Sequence, residues 1–363
     1  MTDVPAGAAA EPQTSFSLRI FNTVLLLFIL WMFAGFAAPG VDLSAFETST
    51  GHAPLDMAAA ASISALALKF NPATTALIIY ETMRLLLPGM RDWDAEKPQT
   101  NRRNSLGLVV LAILFALFQG WGLAGALEDF STDRPLVPEP GSAFKASFAL
   151  TQAGGTALLI ACADTITRNG IGSGWWVMVS AMSLASLPAV ALALADRFSQ
   201  GLIDPLYVVA LLAIAAAGGY AAFMLFNKGM ETGRTAAQSA GDVILPVFLG
   251  SAVGAFLYGM GIVASGLLSG QELSPGMISW TAPGAMAVTA GLIVLFARLR
   301  CRGDRQRGWQ IAALGTALFI GLQLAGANIG FPILQADIVV IVVMVGALAW
   351  RGWIASKHTA AAA

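Results

Sequence analysis

Charge is what this chain has least of. Only 11% of its residues are Asp, Glu, Lys or Arg, and the two signs nearly cancel at a net −1. A water-soluble chain of 363 residues would carry a charged coat roughly twice as dense. Cysteine is almost absent as well. Cys162 sits within an apolar run and Cys301 in a basic loop, so no disulfide is expected, and the pair lacks metal-ligand spacing. The two histidines, His52 and His358, lie outside the apolar runs and on opposite sides of them, which excludes a Ser–His pair within them. A nucleotide loop is missing too. The one glycine-rich turn, GIGSG at 170–174, follows a long apolar run rather than a strand.

Hydrophobic residues fill the space that charge leaves. They make up 57% of the chain, at a mean hydropathy of +0.72. A span needs about 20 apolar residues to cross the hydrocarbon of a bilayer. Ten segments qualify, near 18–38, 58–87, 105–127, 146–167, 175–195, 204–226, 243–265, 278–299, 309–328 and 334–354. The expected class is an all-α polytopic membrane protein; a globular core of long buried helices is the alternative. Basic residues set the orientation. With the N-terminus inside, sixteen of the twenty Lys and Arg fall on the cytoplasmic side, all but Lys69, Arg134, Lys145 and Arg197. Outer loops carry acids such as Asp42, Glu47, Asp56, Glu128, Asp129, Asp133 and Glu139. An even number of spans with both termini inside accounts for this bias. Residues 1–15 are Ala- and Pro-rich without a basic n-region, so they read as a disordered tail before a retained helix.

One stretch is more specific than composition. From Thr156 to Pro188 the chain reads TALLIACADTITRNGIGSGWWVMVSAMSLASLP, two apolar helices around a turn with Gly170, Gly172 and Gly174. This phrase resembles the SecY family, pore subunits of the protein-conducting channel, at Ile166, Thr167, Gly170, Ile171, Gly172, Gly174, Leu187 and Pro188. The first span ends at Pro39-Gly40-Val41-Asp42, close to that family's Pro-Gly-Ile-Asp. In the second span Ser64, Ala67, Leu68, Pro72, Ala76, Ile78 and Ile79 match. Pro72, lacking an N–H, is expected to kink that helix near its middle. In the third, Gln119 and Gly122 match; in the seventh, Ile244, Pro246 and Ser251 do. Specific resemblance covers about residues 18–195 and 240–256, and topology alone carries the rest.

The resemblance implies ten helices in two pseudo-symmetric inverted halves of five. These are 16–200, with a re-entrant plug about 41–58, and 201–356, followed by a tail at 357–363. An ordinary outer loop is the alternative to the plug. The family seals its pore with a ring of apolar side chains, which resists ions yet deforms around a peptide. By position that ring falls on Phe70, Thr74, Trp175, Val179, Phe248 and Val340, more aromatic than the family's aliphatic pattern; the alternative is that these are simply packed helix residues. The lateral gate falls on Glu81, Gln119, Ser173 and Ser251. Hinge or turn positions are Pro72, Gly170, Gly172, Gly174 and Pro246. Glu81 either brings a charge to the gate or pairs with Arg84. Lys69 lines the funnel or pairs with an acid such as Asp337. Gly218-Gly219 and the Gly250/Gly254 pair permit close helix contacts.

The resemblance also implies a function. The chain would translocate polypeptides across the bacterial inner membrane, or insert them into its lipid. It would need no cofactor, metal or nucleic acid. Its partners would be an unfolded or nascent chain, a small SecE-like clamp and, as an optional member, a SecG-like subunit. Docking of the ribosome and of the motor SecA is in question, because the cytoplasmic loops shrink to NKGMETGRTAAQSAGD and ARLRCRGDRQRG. Three other readings remain. A secondary transporter shares the inverted halves but needs polar ligands at the midplane. A non-conducting relative would serve as an insertion scaffold. An aspartyl protease would need Asp164 and Asp242 to share a proton, but both fall at helix ends and Asp242 reads as an N-cap.

Overall fold

The computed structural model describes residues 15–33, 36–42, 64–87, 90, 98–129, 135–185, 187–269, 283–329 and 335–362. Among them the regular structure is helical. The helices are α1 (Phe16–Phe33), α2 (Asn71–Leu86), α3 (Pro98–Asp129), α4 (Ser142–Asn169), α5 (Gly174–Leu184), α6 (Leu187–Ser199), α7 (Pro205–Glu231), α8 (Ala236–Ser269), α9 (Pro283–Arg300), α10 (Arg305–Ile329) and α11 (Ala336–Ala362). Eight of these, α1, α3, α4 and α7 to α11, are long and apolar enough to cross a membrane. Large apolar side chains stand on the outer surface, as on lipid-facing helices: Phe118 is 78% exposed and Leu192 73%.

Among the described residues, eight of the ten expected spans contain a single long apolar helix, and the second and fifth are broken. In the second, residues 65–70 form turns and regular helix starts only at Asn71. Pro72 therefore opens α2 rather than kinking a longer helix. A proline is well tolerated in the first turn, where its missing N–H has no intrahelical partner anyway. The backbone before it is reversed by Lys69, which holds a left-handed φ of 51°. The expected fifth span divides into α5 and α6 around residue 186. Pro188, in the first turn of α6, lacks the N–H that would continue a ladder from α5.

Two cores form. One joins Leu30, Leu66, Phe70, Ala73, Leu159, Ile166 and Met178 from α1, α2, α4 and α5. The larger joins Phe226, Val247, Leu249, Ile293, Phe296, Leu318, Val340 and Met344 from α7 to α11, with Leu85 of α2. Glycines let helices of the larger core close up. A Cβ on Gly250 would lie 2.8 Å from the Ile293 backbone, and one on Gly254 2.9 Å from Thr289 Cα, so α8 meets α9 backbone to backbone. Gly219 instead makes room for a side chain of α11: a Cβ there would lie 2.9 Å from Val343 Cγ2.

Asp242 is not a cap. Helix α8 starts six residues earlier, where Thr235 Oγ1 accepts from Gln238 N (3.2 Å) and Gln238 Oε1 accepts from Thr235 N (3.1 Å), a reciprocal capping box. Asp242, buried one turn on, is gripped by arginines. Arg234 binds its Oδ2, Arg300 Nε donates to its Oδ1 at 3.0 Å, and Arg307 Nε lies 3.7 Å from Oδ2. Arg307, itself 4% exposed, also donates to Leu225 O (3.1 Å) and Ser239 Oγ (3.1 Å). The turns 232–235 and 301–304 are thus latched together. Burial, and then Asp242, push the Cys301 thiol above its ordinary range.

Candidate functional site

Non-helical backbone inside a membrane must find polar partners in the protein. The unwound segment before α2 finds them in Gln152 of α4, a residue 1% exposed. Gln152 Oε1 accepts from Leu68 N at 3.1 Å, and its Nε2 donates to Ser64 O at 2.9 Å. Gly155, one turn on, admits the segment: a Cβ there would sit 2.7 Å from Ala65 O. The same segment touches the end of the first helix, where Ala65 N donates to Phe36 O (2.9 Å) and Ala37 bridges Ser64. The chain therefore leaves at residue 42 and returns beside residues 36–37. Most of the expected plug lies between and falls outside the described residues.

The turn at 170–174 is built on threonines. Thr167 Oγ1 accepts from Gly174 N (2.8 Å) and donates to Ala163 O (2.9 Å). Thr23 Oγ1 of α1 accepts from Ile171 N at 3.1 Å. Gly172 has a φ of 68°, and a Cβ on Gly174 would overlap the Ala163 carbonyl. Gly174→Ala is expected to destabilise the folded protein by the upper part of the roughly 1–3 kcal/mol seen for overpacking. Gly172→Ala should cost about 1 kcal/mol, the left-handed penalty alone. Thermal unfolding of the purified protein measures both; equal losses would mean the turn shifts to make room.

These two devices place aromatic rings where the cores meet. Phe70, one residue past the clamped segment, is buried and meets Trp175 edge-on at 5.1 Å. Phe248 meets Trp176 edge-on at 5.5 Å. Val179 packs against both cores, and Val340 is fully buried in the larger one. Thr74 satisfies its hydroxyl on Asn71 O at 2.9 Å, so the polar member needs no partner across the seam. Trp176 is the side chain that sequence reasoning missed. The Trp-Trp doublet was its only signal: on a helix, neighbours point about 100° apart, so one serves each core. Gln152 was missed too, although it is a lone amide in an apolar run.

The gate positions are more scattered. Glu81 is buried and pairs with Arg84 at 3.2 Å, while its second oxygen has no hydrogen-bond partner among the described residues. Among the same residues Ser251 Oγ is buried without a partner, Gln119 is half-buried, and Ser173 precedes α5 without a side-chain cap. Among the described residues no hydrogen bond joins these four to one another. Pro246 lies inside α8. Lys69 is exposed and has no ion pair among the described residues. Asp164 is exposed and bound to Arg168 at 2.7 Å, whereas Asp242 is held by arginines, so the two carboxylates share no proton.

The SecY family model matches residues 64–236, which contain the clamped segment and the glycine turn. Curated SecY translocase subunits are similar: that of Rickettsia conorii at 26% identity over 203 residues, 53% of this chain and 47% of that one. That of Haemophilus influenzae is 27% identical over 45% of this chain and 36% of its own length. Over residues 64–236 the chain is similar to the SecY family. It spans about half the length of the curated relatives it matches. In fold it follows a solved SecY protein whose plug domain stabilises the closed translocation channel, with a TM-score of 0.63 at 13% identity over 98% of this chain and 97% of that one. Canine Sec61 from a ribosome–channel complex gives a TM-score of 0.59 at 14% identity, over 98% of this chain and 97% of that one. The family match stops at 236, so the resemblance drawn for residues 18–63 and 240–256 lies beyond it.

Proposed function

We propose that this SecY-family chain is the pore subunit of a protein-conducting channel in the bacterial cytoplasmic membrane, with both termini inside. It passes polypeptides across the membrane or releases them sideways into lipid, without enzymatic chemistry. The observation that carries this reading is the seam: Phe70–Trp175 and Trp176–Phe248 face each other from two separate cores, with Val179 touching both. A seam of this kind can part without unfolding either half. The ring is Phe70, Thr74, Trp175, Val179, Phe248 and Val340, and the gate is Glu81, Gln119, Ser173 and Ser251. The plug is the segment at about 41–58, most of which lies outside the described residues.

A small SecE-like subunit, with a SecG-like one, completes the channel. Helix α1 supports that need: only Thr23 and Leu30 of its 18 residues are buried. A cleft of about 910 Å³ opens between it, the glycine turn and α11, lined by Phe16, Ile20, Ile171, Leu348 and Trp353. Ribosome and SecA docking is reduced or lost, since Arg234, Arg300 and Arg307 turn inward onto Asp242. The same inward latch favours a second reading, a non-conducting insertion scaffold.

Crosslinking separates the two. Phe70→Cys and Phe248→Cys are placed one at a time in a chain with Cys162 and Cys301 replaced by Ser. A conducting pore gives crosslinks to secretory or nascent chains from both positions, with the clamp subunit in the pull-down. Crosslinks to clients from neither position would leave the scaffold.

A further inference from the structure

At the basic ends of α9 and α10 a pocket of about 240 Å³ is lined by Arg298, Cys301, Arg302, Arg305 and Gly308. Three of its five lining residues are arginines, and none is acidic. Among the described residues no carboxylate pairs with Arg298, Arg302 or Arg305. The nearby acids are already committed: Asp242 to Arg234 and Arg300, and Asp304 to Arg307 N (3.0 Å) and Arg234 Nη2 (3.7 Å). Beneath the pocket three arginines face two carboxylates, so the floor adds positive charge of its own. Arg298 is held in place by the ring of Trp309, 5.0 Å away.

The surroundings say what kind of anion fits. Both α9 and α10 are membrane-length helices, and the pocket lies where one ends and the next begins. Trp309 is 45% exposed beside it, in the manner of aromatics at the lipid–water boundary. On α9, the exposed residues Val288, Gly291 and Leu295 precede Arg298 at spacings of three and four, one continuous apolar stripe leading to the arginine. On α10, Trp309, Ala313 and Ala317 form a second exposed row whose small residues leave room alongside. Pockets for whole drug-sized ligands run to roughly 300–1,000 Å³. This one is smaller, and suits a headgroup whose tails continue outside it.

We propose that this pocket binds the phosphate of an anionic phospholipid, with Arg298, Arg302 and Arg305 on the headgroup and an acyl chain along Val288, Gly291 and Leu295. Planar guanidinium groups match phosphate oxygens two at a time. Nucleic acid is the weaker fit: a phosphate backbone would meet arginines standing clear of the bilayer, not a recess continued by an apolar stripe. The site does not depend on whether the chain conducts polypeptide.

The test uses the full purified chain in nanodiscs of phosphatidylcholine, with or without phosphatidylglycerol, and counts retained lipids by native mass spectrometry. Wild type should keep phosphatidylglycerol over phosphatidylcholine by roughly tenfold or more. Arg302→Ala/Arg305→Ala should erase that preference, while Arg302→Lys/Arg305→Lys keeps most of it. Both side chains are exposed, so melting in pure phosphatidylcholine should stay unchanged, which separates lost binding from misfolding. Equal retention of the two lipids, or a preference that survives the alanine pair, overturns the proposal. So does stabilisation by inorganic phosphate without lipid preference, which would make this a free-phosphate site. Loss of ribosome co-sedimentation in the alanine pair with lipid retention intact would assign the arginines to RNA instead.

Discussion

Replacing Asp242 by alanine is expected to cost about 3–5 kcal/mol of stability, the usual penalty for removing one partner of a buried ion pair. The reason is what remains. Arg307 is 4% exposed and already has an Nε without a hydrogen-bond partner, and Arg234 and Arg300 point at the same vacated position. Arg307 keeps Leu225 O and Ser239 Oγ, so the loss falls on charge rather than on all of its hydrogen bonds. Asp242→Asn keeps the shape but not the charge, and should fall between alanine and wild type. Thermal unfolding in detergent gives the stability. Alkylation of Cys301 gives a local readout with its own sign. Burial and Asp242 both raise this thiol, so at neutral pH it is protonated and slow to react. Removing Asp242 lowers its pKa and loosens its cover, and both changes speed alkylation. A variant with unchanged melting and unchanged thiol reactivity would mean that the latch is not closed in solution.

Gln152→Leu is expected to cost nearly as much, by a different route. The substitution keeps volume and burial but strands Leu68 N–H and Ser64 C=O, which lose partners at 3.1 and 2.9 Å. An unsatisfied buried polar group costs roughly 1–3 kcal/mol, so two of them bring about 2–6 kcal/mol. Gln152→Glu keeps an acceptor for Leu68 N–H and loses the donor to Ser64 O, so about half of that loss is expected. Hydrogen exchange over residues 64–70 localises the effect. Faster exchange there, with α7–α11 unchanged, is the signature of a clamp. Uniform acceleration along the whole chain would instead make Gln152 an ordinary core residue. Phe70 comes directly after the segment, so a loosened clamp also displaces the edge-on contact with Trp175.

By itself the sequence determined that this chain is a helical membrane protein, and which phrase carries its resemblance to the SecY family. Both properties are local or additive: apolar run length, sparse charge, and a glycine turn whose spacing only close backbone packing requires. It also placed the close contacts of Gly218-Gly219 and Gly250/Gly254, since glycines side by side or one turn apart have few other uses within a span. Tertiary structure alone decided three things. It made Pro72 the start of a helix, because hydropathy is blind to whether unwound backbone has a Gln152 within reach. It turned Asp242 from a cap into the centre of an arginine latch, because Arg234, Arg300 and Arg307 lie up to 65 positions from it in the chain and meet only when α7, α8, α9 and α10 pack. It set Trp175 against Phe70 and Trp176 against Phe248, since each pairing depends on which of two cores a side chain faces. Run length and residue type are written along the chain; partners for buried polar groups exist only where the helices converge.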